Sequence, residues 1–357
     1  MALICGDSCS RKIYGTSMCN SLEMWPIRVL IITILCVFFV TGVTGNGLVL
    51  WMTLFRLPRT VTTIWFLNLA LADFSVLLSL PIPVHNLIQG QWFFGAWGCK
   101  FYQAFLNLNF FTSIYLLVLI SVDRCVSVLY PIWARNHRTV RRASWLAAGV
   151  WLLASLTSIP YLIFRTTGVQ KDGCNYCYFN FNIENKTMDA EWKRVVMTRR
   201  LSMTVAHLLL GFLVPLVVIS TCAHLIRVNF PRGGWVHARG TKRLLLVLVS
   251  TFFACWFPFN VALCIQLWRF MVFRRTIDPH MLLFLWGAFS LSCLNSCLNP
   301  FLYVLIGRDF QKKFFQSIPH ALARVFGEEG VLNLPALEAE PPGHDGNLQV
   351  ETGSPSA

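Results

Sequence analysis

Residues 61–91 read VTTIWFLNLALADFSVLLSLPIPVHNLIQGQ, a largely apolar run that contains one formal charge, Asp73. A helix crosses the hydrocarbon core of a bilayer with about 20 apolar residues, so this run is long enough to span it. A carboxylate at that depth costs at least about 2.5 kcal/mol on the most lenient insertion scale, and it persists where it faces a protein interior and serves a purpose. The segment therefore reads as a membrane span that carries a buried functional acid.

Six further spans lie around it, at Val29–Phe55, Phe101–Val122, Ala143–Phe164, Leu201–Ile226, Leu244–Trp268 and Met281–Ile306, each free of formal charge. Together they predict an all-α membrane protein, a seven-transmembrane helix bundle over residues 26–306 preceded by an outer tail at 1–25. Composition agrees, because 55% hydrophobic and 13% charged side chains leave too little polar surface to cover a soluble globule of 357 residues. The net charge of +14 would suit a nucleic-acid partner in a soluble chain. Its distribution argues against that partner. Arg56 and Arg59, Arg135, Arg138, Arg141 and Arg142, Arg227, Arg232, Arg239, Lys242 and Arg243, and Arg308, Lys312 and Lys313 all fall in alternate connections, on one side of the membrane. Short loops rich in Lys and Arg stay cytoplasmic, which puts the N-terminus outside and the C-terminus inside.

The outer side carries the sequon Asn185-Lys186-Thr187, an acceptor for glycosylation. Residues 1–24 hold no continuous apolar stretch, so the first span is expected to act as the insertion signal of a plasma-membrane protein. Of 13 cysteines, Cys5, Cys9, Cys19, Cys99, Cys174 and Cys177 fall outside, where disulfides form. Six cysteines allow about 15 full pairings, and spacing alone does not choose among them. The rest read as small buried hydrophobes.

Beyond Ile306, Phe310, Phe314 and Phe315 share one helical face, which predicts a short amphipathic eighth helix at 307–326 along the inner membrane surface. No Cys follows to carry a palmitate. Residues 327–357 turn rich in Pro, Gly and Glu, a composition that does not pack, so a disordered tail is expected. Its Thr352, Ser354 and Ser356 could take phosphates that a basic arrestin surface would bind.

Gly45-Asn46 in the first span, Asn68-Leu69-Ala70-Leu71-Ala72-Asp73 in the second, Asp123-Arg124-Cys125 ending the third and Trp151 in the fourth resemble the rhodopsin-like G-protein-coupled receptors. Pro215, Cys255-Trp256-Phe257-Pro258 and Asn299-Pro300-Phe301-Leu302-Tyr303 extend the likeness to the last three spans, in order. Within that family, Trp92-Phe93-Phe94-Gly95 and Cys177-Tyr178-Phe179-Asn180-Phe181 resemble the chemoattractant group around the formyl peptide receptors. Ser121-Val122-Asp123-Arg124-Cys125, Gly234-Trp235-Val236-His237-Ala238 and Gly307-Arg308-Asp309-Phe310-Gln311 are more similar still to its branch that answers to D-series resolvins.

The resemblance implies roles. Asp73 would sit with Asn109, Ser113, Asn295 and Asn299 around a sodium ion, since oxygen ligands suit a hard cation; a hydrogen-bonded cluster with water is the alternative. Trp256 and the helix-weakening Pro258 would let the inner half of the sixth helix swing outward, with Asn299, Pro300 and Tyr303 in the same switch. Arg124 would pair with Asp123 at rest and be released to meet a G protein. A Cys99–Cys177 disulfide is expected between the third helix and the loop before the fifth, leaving Cys174 for Cys5, Cys9 or Cys19.

By the same likeness, His85, Asn86, Tyr102, Gln103, Asn107, His207, Gln266 and Phe289 converge on an outer pocket with Arg199, Arg200 and Arg269 at its rim. Formyl peptide receptors carry an acid and two arginines where this chain has Asn107, Met203 and His207, so a formyl peptide is a poor fit. An apolar pocket with a basic rim suits an anionic lipid mediator, such as a hydroxylated fatty acid. Signalling through an inhibitory-type G protein follows from the family.

Three departures bear on coupling: Cys125 stands in place of a tyrosine, Ala223 in place of another, and Ala238 where rhodopsin has an acid. They keep open a weakly coupled or decoy receptor. A transporter or membrane enzyme is disfavoured, since the chain shows neither internal repeats nor a nucleophile–base pair or His/Asp cluster with metal spacing.

Overall fold

The computed structural model describes residues 25–169, 173–187, 189–229, 236–273 and 279–306. The helix expected at 307–326 and both tails lie outside the described residues. Within them lie ten α-helices, nine of which make up seven rods, and one two-stranded sheet. The first is α1 (Trp25–Phe55). The second is α2 (Val61–Leu78) continued by α3 (Pro81–Gln89). Then come α4 (Gly95–Leu129), the short connecting helix α5 (Pro131–His137) and α6 (Val140–Phe164). The fifth rod is α7 (Ala190–Leu208) and α8 (Val214–Asn229), followed by α9 (Val236–Phe273) and α10 (Pro279–Ile306). Six rods are long and apolar enough to cross a membrane. The seventh, α10, has 28 residues, and a rise of about 1.5 Å per residue makes it long enough as well.

Inside lipid no water serves stray polar groups, so side chains turn back on their own helix. The hydroxyls of Thr33, Thr41 and Thr44 donate to carbonyls four residues earlier at 2.9, 2.8 and 2.7 Å. Helix ends are capped locally. Thr60 and Thr63 form a capping box at the start of α2, and Thr139 accepts from the Arg142 amide at the start of α6. Lys100 Nζ donates to the Leu162 and Ile163 carbonyls at 2.9 and 3.2 Å, serving the last turn of α6.

Prolines shape the rods by removing a donor. Pro300 leaves the Ser296 carbonyl without its helical partner. Asn46 Nδ2 fills that gap at 3.1 Å from α1, while also donating to the Gly42 carbonyl at 3.0 Å. A Cβ on Gly42 would collide with Leu77, so glycine is what lets α1 and α2 approach. Pro215 likewise strands the Gly211 carbonyl, and the chain answers with one wide π turn, Leu209–Leu213, between α7 and α8. Gly211 in that turn admits Phe110 and Phe111 of α4, which a Cβ would meet at 3.2 and 3.3 Å.

A hairpin qualifies the all-α expectation. β1 (Arg165–Val169) pairs antiparallel with β2 (Asn175–Phe179), with Arg165 opposite Phe179 and Thr167 opposite Cys177. The Cys99–Cys177 disulfide ties it to α4. Trp92 and Asn175 exchange bonds of 2.7 and 3.1 Å, which tie it to the loop before α4. Cys174 is disulfide-bonded too.

Candidate functional site

A cavity of about 300 Å³ runs from beneath the hairpin to Asp73. Its aromatic body is set by the packing around Gly211. Phe110 stacks on His207 at 5.2 Å between centroids and touches Trp256 at 4.2 Å. His207 Nδ1 shares a hydrogen bond of 2.9 Å with the Tyr161 hydroxyl. His207 Nε2 and Trp256 Nε1 are buried without hydrogen-bond partners, and both residues line the cavity. Such orphaned groups are costly unless something polar meets them.

Asn86, Gln103, Asn107, Arg200, His207, Gln266 and Phe289 line the cavity as the sequence reading expected, and so does Met203. Four expected residues do not. His85 packs edge-on against Phe93 and Phe94 instead. Tyr102 is buried against Trp92. Arg269 is absent from the wall. Arg199 is occupied elsewhere, by both Glu184 carboxylate oxygens at 2.8 Å and the Phe181 carbonyl at 3.1 Å.

Sequence reasoning missed Arg165, which lines the cavity from the first position of β1. In sequence it looks like an ordinary basic residue ending a span. Its guanidinium lies 3.7 Å from the Phe179 centroid. Burial pushes its pKa down to about 10 against the favourable influence of Tyr161, which leaves it cationic at neutral pH. Among the described residues, the one carboxylate in the cavity wall is Asp73 at the inner end.

Asp73 is 1% exposed. Ser113 Oγ donates to Oδ1 at 3.0 Å and Asn299 Nδ2 to Oδ2 at 2.6 Å, joining α2, α4 and α10. Asn109 lines the same cavity as Asp73, with its Nδ2 bonded to the Phe105 carbonyl at 2.8 Å, and Asn295 is buried. Asn299 Oδ1 is a buried acceptor without a donor. Carboxylate, hydroxyl and amide oxygens make a donor set that could hold a small hard cation.

At the far end, Asp123 is held by a residue the sequence did not single out. Arg138, which caps α5, donates to both its oxygens at 2.7 and 3.0 Å, and to Thr62 Oγ1 at 2.9 Å. Arg124 is a looser neighbour of the acid, at 3.9 Å, and is itself held by Thr62. The expected Asp123–Arg124 pair is thus a network in which Arg138 has the better geometry. Pro258 lies within α9, and Pro300 and Tyr303 towards the end of α10. Asn185 is exposed beside the hairpin end of α7.

Comparison with known proteins agrees with this geometry. Residues 45–303 match the model of the seven-transmembrane receptors of the rhodopsin family. The chain is 56% identical over 326 residues to the human protein named "Probable G-protein coupled receptor 32", covering 91% of each. It is 40% identical over 315 residues to mouse formyl peptide receptor 2, covering 87% of this chain and 88% of that protein. With human N-formyl peptide receptor 2 it shares 38% identity over 313 residues, 85% of this chain and 87% of the other.

Proposed function

Because the chain belongs to the rhodopsin family of seven-transmembrane receptors, we propose that it takes an anionic, amphipathic lipid acid of the resolvin or lipoxin type into its cavity and signals through an inhibitory-type G protein. It is a multi-pass membrane receptor of the chemoattractant group, not an enzyme. The observation that carries the ligand class is the cavity wall. The wall's outer part bears cations and no carboxylate among the described residues, while Phe259, Leu263, Leu285 and Phe289 give an apolar body. A pocket of that kind suits a ligand with one charged end and a long apolar chain. Two formyl peptide receptors are among the relatives, yet Asn107 and Met203 offer a peptide neither the acid nor the arginine that the group carries there.

The hairpin end is the outer face in this reading. The arginines of α5 and its flanks lie at the opposite end, and the positive-inside rule then puts the N-terminus outside and the C-terminus inside. Asn185 is glycosylated on that outer face, and arrestin binds the phosphorylated tail. Membranes carrying the chain should bind a radiolabelled D-series resolvin saturably. The unlabelled acid should displace it, and N-formyl-Met-Leu-Phe should not. Displacement by the formyl peptide at equal potency would contradict the lipid-acid reading.

The Asp73 cluster would hold sodium through Asp73, Ser113 and Asn299, with Asn109 and Asn295 around them; the ion would offset the buried charge. Asp73→Asn keeps an acceptor for Ser113 but removes the charge. Agonist affinity should then be the same in sodium chloride and in N-methylglucamine chloride, with surface expression retained. A sodium effect as large as the wild type's would count against the cation site. A second reading, a receptor that binds ligand without productive exchange, draws on Cys125 and Ala223, which are buried where the family carries tyrosines.

A further inference from the structure

We infer that Arg165 and Arg200 together form the seat for the ligand's carboxylate, built on the hairpin as much as on the helices. This deepens the lipid-acid reading and rests on it. Arg165 lies over Phe179 at 3.7 Å. Phe179 stacks on Phe181 at 5.5 Å and 17°. Arg200, from α7, lies 5.2 Å from the Phe181 centroid and 3.7 Å from that of Phe270 in α9. The two guanidiniums thus rest on neighbouring rings of one aromatic ladder, and both line the cavity.

Neither has an acidic partner among the described residues, and the Nε of each is buried without a hydrogen bond. An aromatic face supports a cation without using its N–H donors. What remains is a pair of flat forks with unspent donors, the geometry that matches a carboxylate. Two neighbouring cations at this end are committed. Arg199 holds Glu184, and Lys100 holds the end of α6. From the seat, an acyl chain would pass down the apolar wall towards Phe110 and Trp256. The Cys99–Cys177 disulfide fixes β2, and with it the ladder, to α4.

The test compares a D-series resolvin as free acid and as methyl ester, in displacement assays on intact cells. Wild type should prefer the acid by about tenfold or more, the scale of a charge-assisted hydrogen bond. Arg165→Gln and Arg200→Gln should each bring the acid down towards the ester, with a much smaller change for the ester, while wild-type surface labelling reports that the variant has folded. Arg165→Lys, which keeps the charge but not the fork, should recover only part of the preference. If the acid preference persists in both glutamine variants, the carboxylate is held elsewhere; the seat is then wrong and the lipid-acid reading stands. Equal losses for acid and ester would make the two arginines structural and overturn the seat. A wild type that binds neither probe, or both alike, contradicts the lipid-acid reading itself, and the seat falls with it.

Discussion

Arg124→Ala is expected to cut ligand-driven nucleotide exchange on the G protein by roughly 30-fold or more, the scale of losing a buried arginine anchor at an interface, while ligand affinity stays close to wild type. Arg124 is 12% exposed and held inward by Thr62, with its Nε buried and without a hydrogen bond. A buried guanidinium with unspent donors has little to hold it there once a partner offers carbonyl or carboxylate acceptors. The ligand cavity is lined at the hairpin end by other residues, so binding should survive. The effect of Arg138 tests the network around it. Arg138 occupies both oxygens of Asp123. In Arg138→Ala that carboxylate should turn to Arg124 and hold it more firmly, lowering basal exchange. A rise in basal exchange would mean instead that Arg138 itself keeps the inner end shut. Full ligand-driven exchange in Arg124→Ala would remove Arg124 from the coupling mechanism altogether.

Cys99→Ser should cost about 4.5 kcal/mol of stability by the loop-closure relation, given that the Cys99–Cys177 bond closes a separation of 78 residues. Cys174 is also disulfide-bonded, so the hairpin keeps one restraint and the figure is an upper bound. Far less of the variant should reach the cell surface, and what arrives should lose its preference for acid over ester, because the Phe179 ladder is no longer fixed to α4. Wild-type surface levels together with wild-type acid preference would show that the Trp92–Asn175 bonds suffice to hold the hairpin.

The rods were legible because a bilayer sets a length, and seven runs meet it. Their ends were less so. The fifth run begins at Leu201 by apolar content, but its helix starts at Ala190, where Asp189 caps a polar turn that stands clear of the apolar stretch. The hairpin was not visible at all. Two strands of five residues carry little pattern, and their order comes from Cys177 and from pairing with the loop at Trp92. Asp73 stood out as the one charge in an apolar span, but its grouping with Ser113 and Asn299 came from the family resemblance, since Asn299 lies 226 positions from Asp73. Cavity residues were harder. Where every face of a helix is apolar, sequence does not say which one turns inward, and His85 turns to Phe93 and Phe94 rather than to the wall. Arg165 was passed over, and Arg138 was read only as one of the inner-side arginines. Each is one cation among several at the end of a span, and only the neighbours Phe179 and Asp123 distinguish it.

The most direct measurement is nucleotide exchange by the purified chain in lipid nanodiscs with an inhibitory-type heterotrimer, with and without a D-series resolvin. A ligand-activated receptor should accelerate GTPγS uptake in a saturable way, at concentrations matching the binding curve. If the resolvin binds with full affinity and uptake stays at the basal rate, the chain is a decoy and the signalling role assigned to it is wrong.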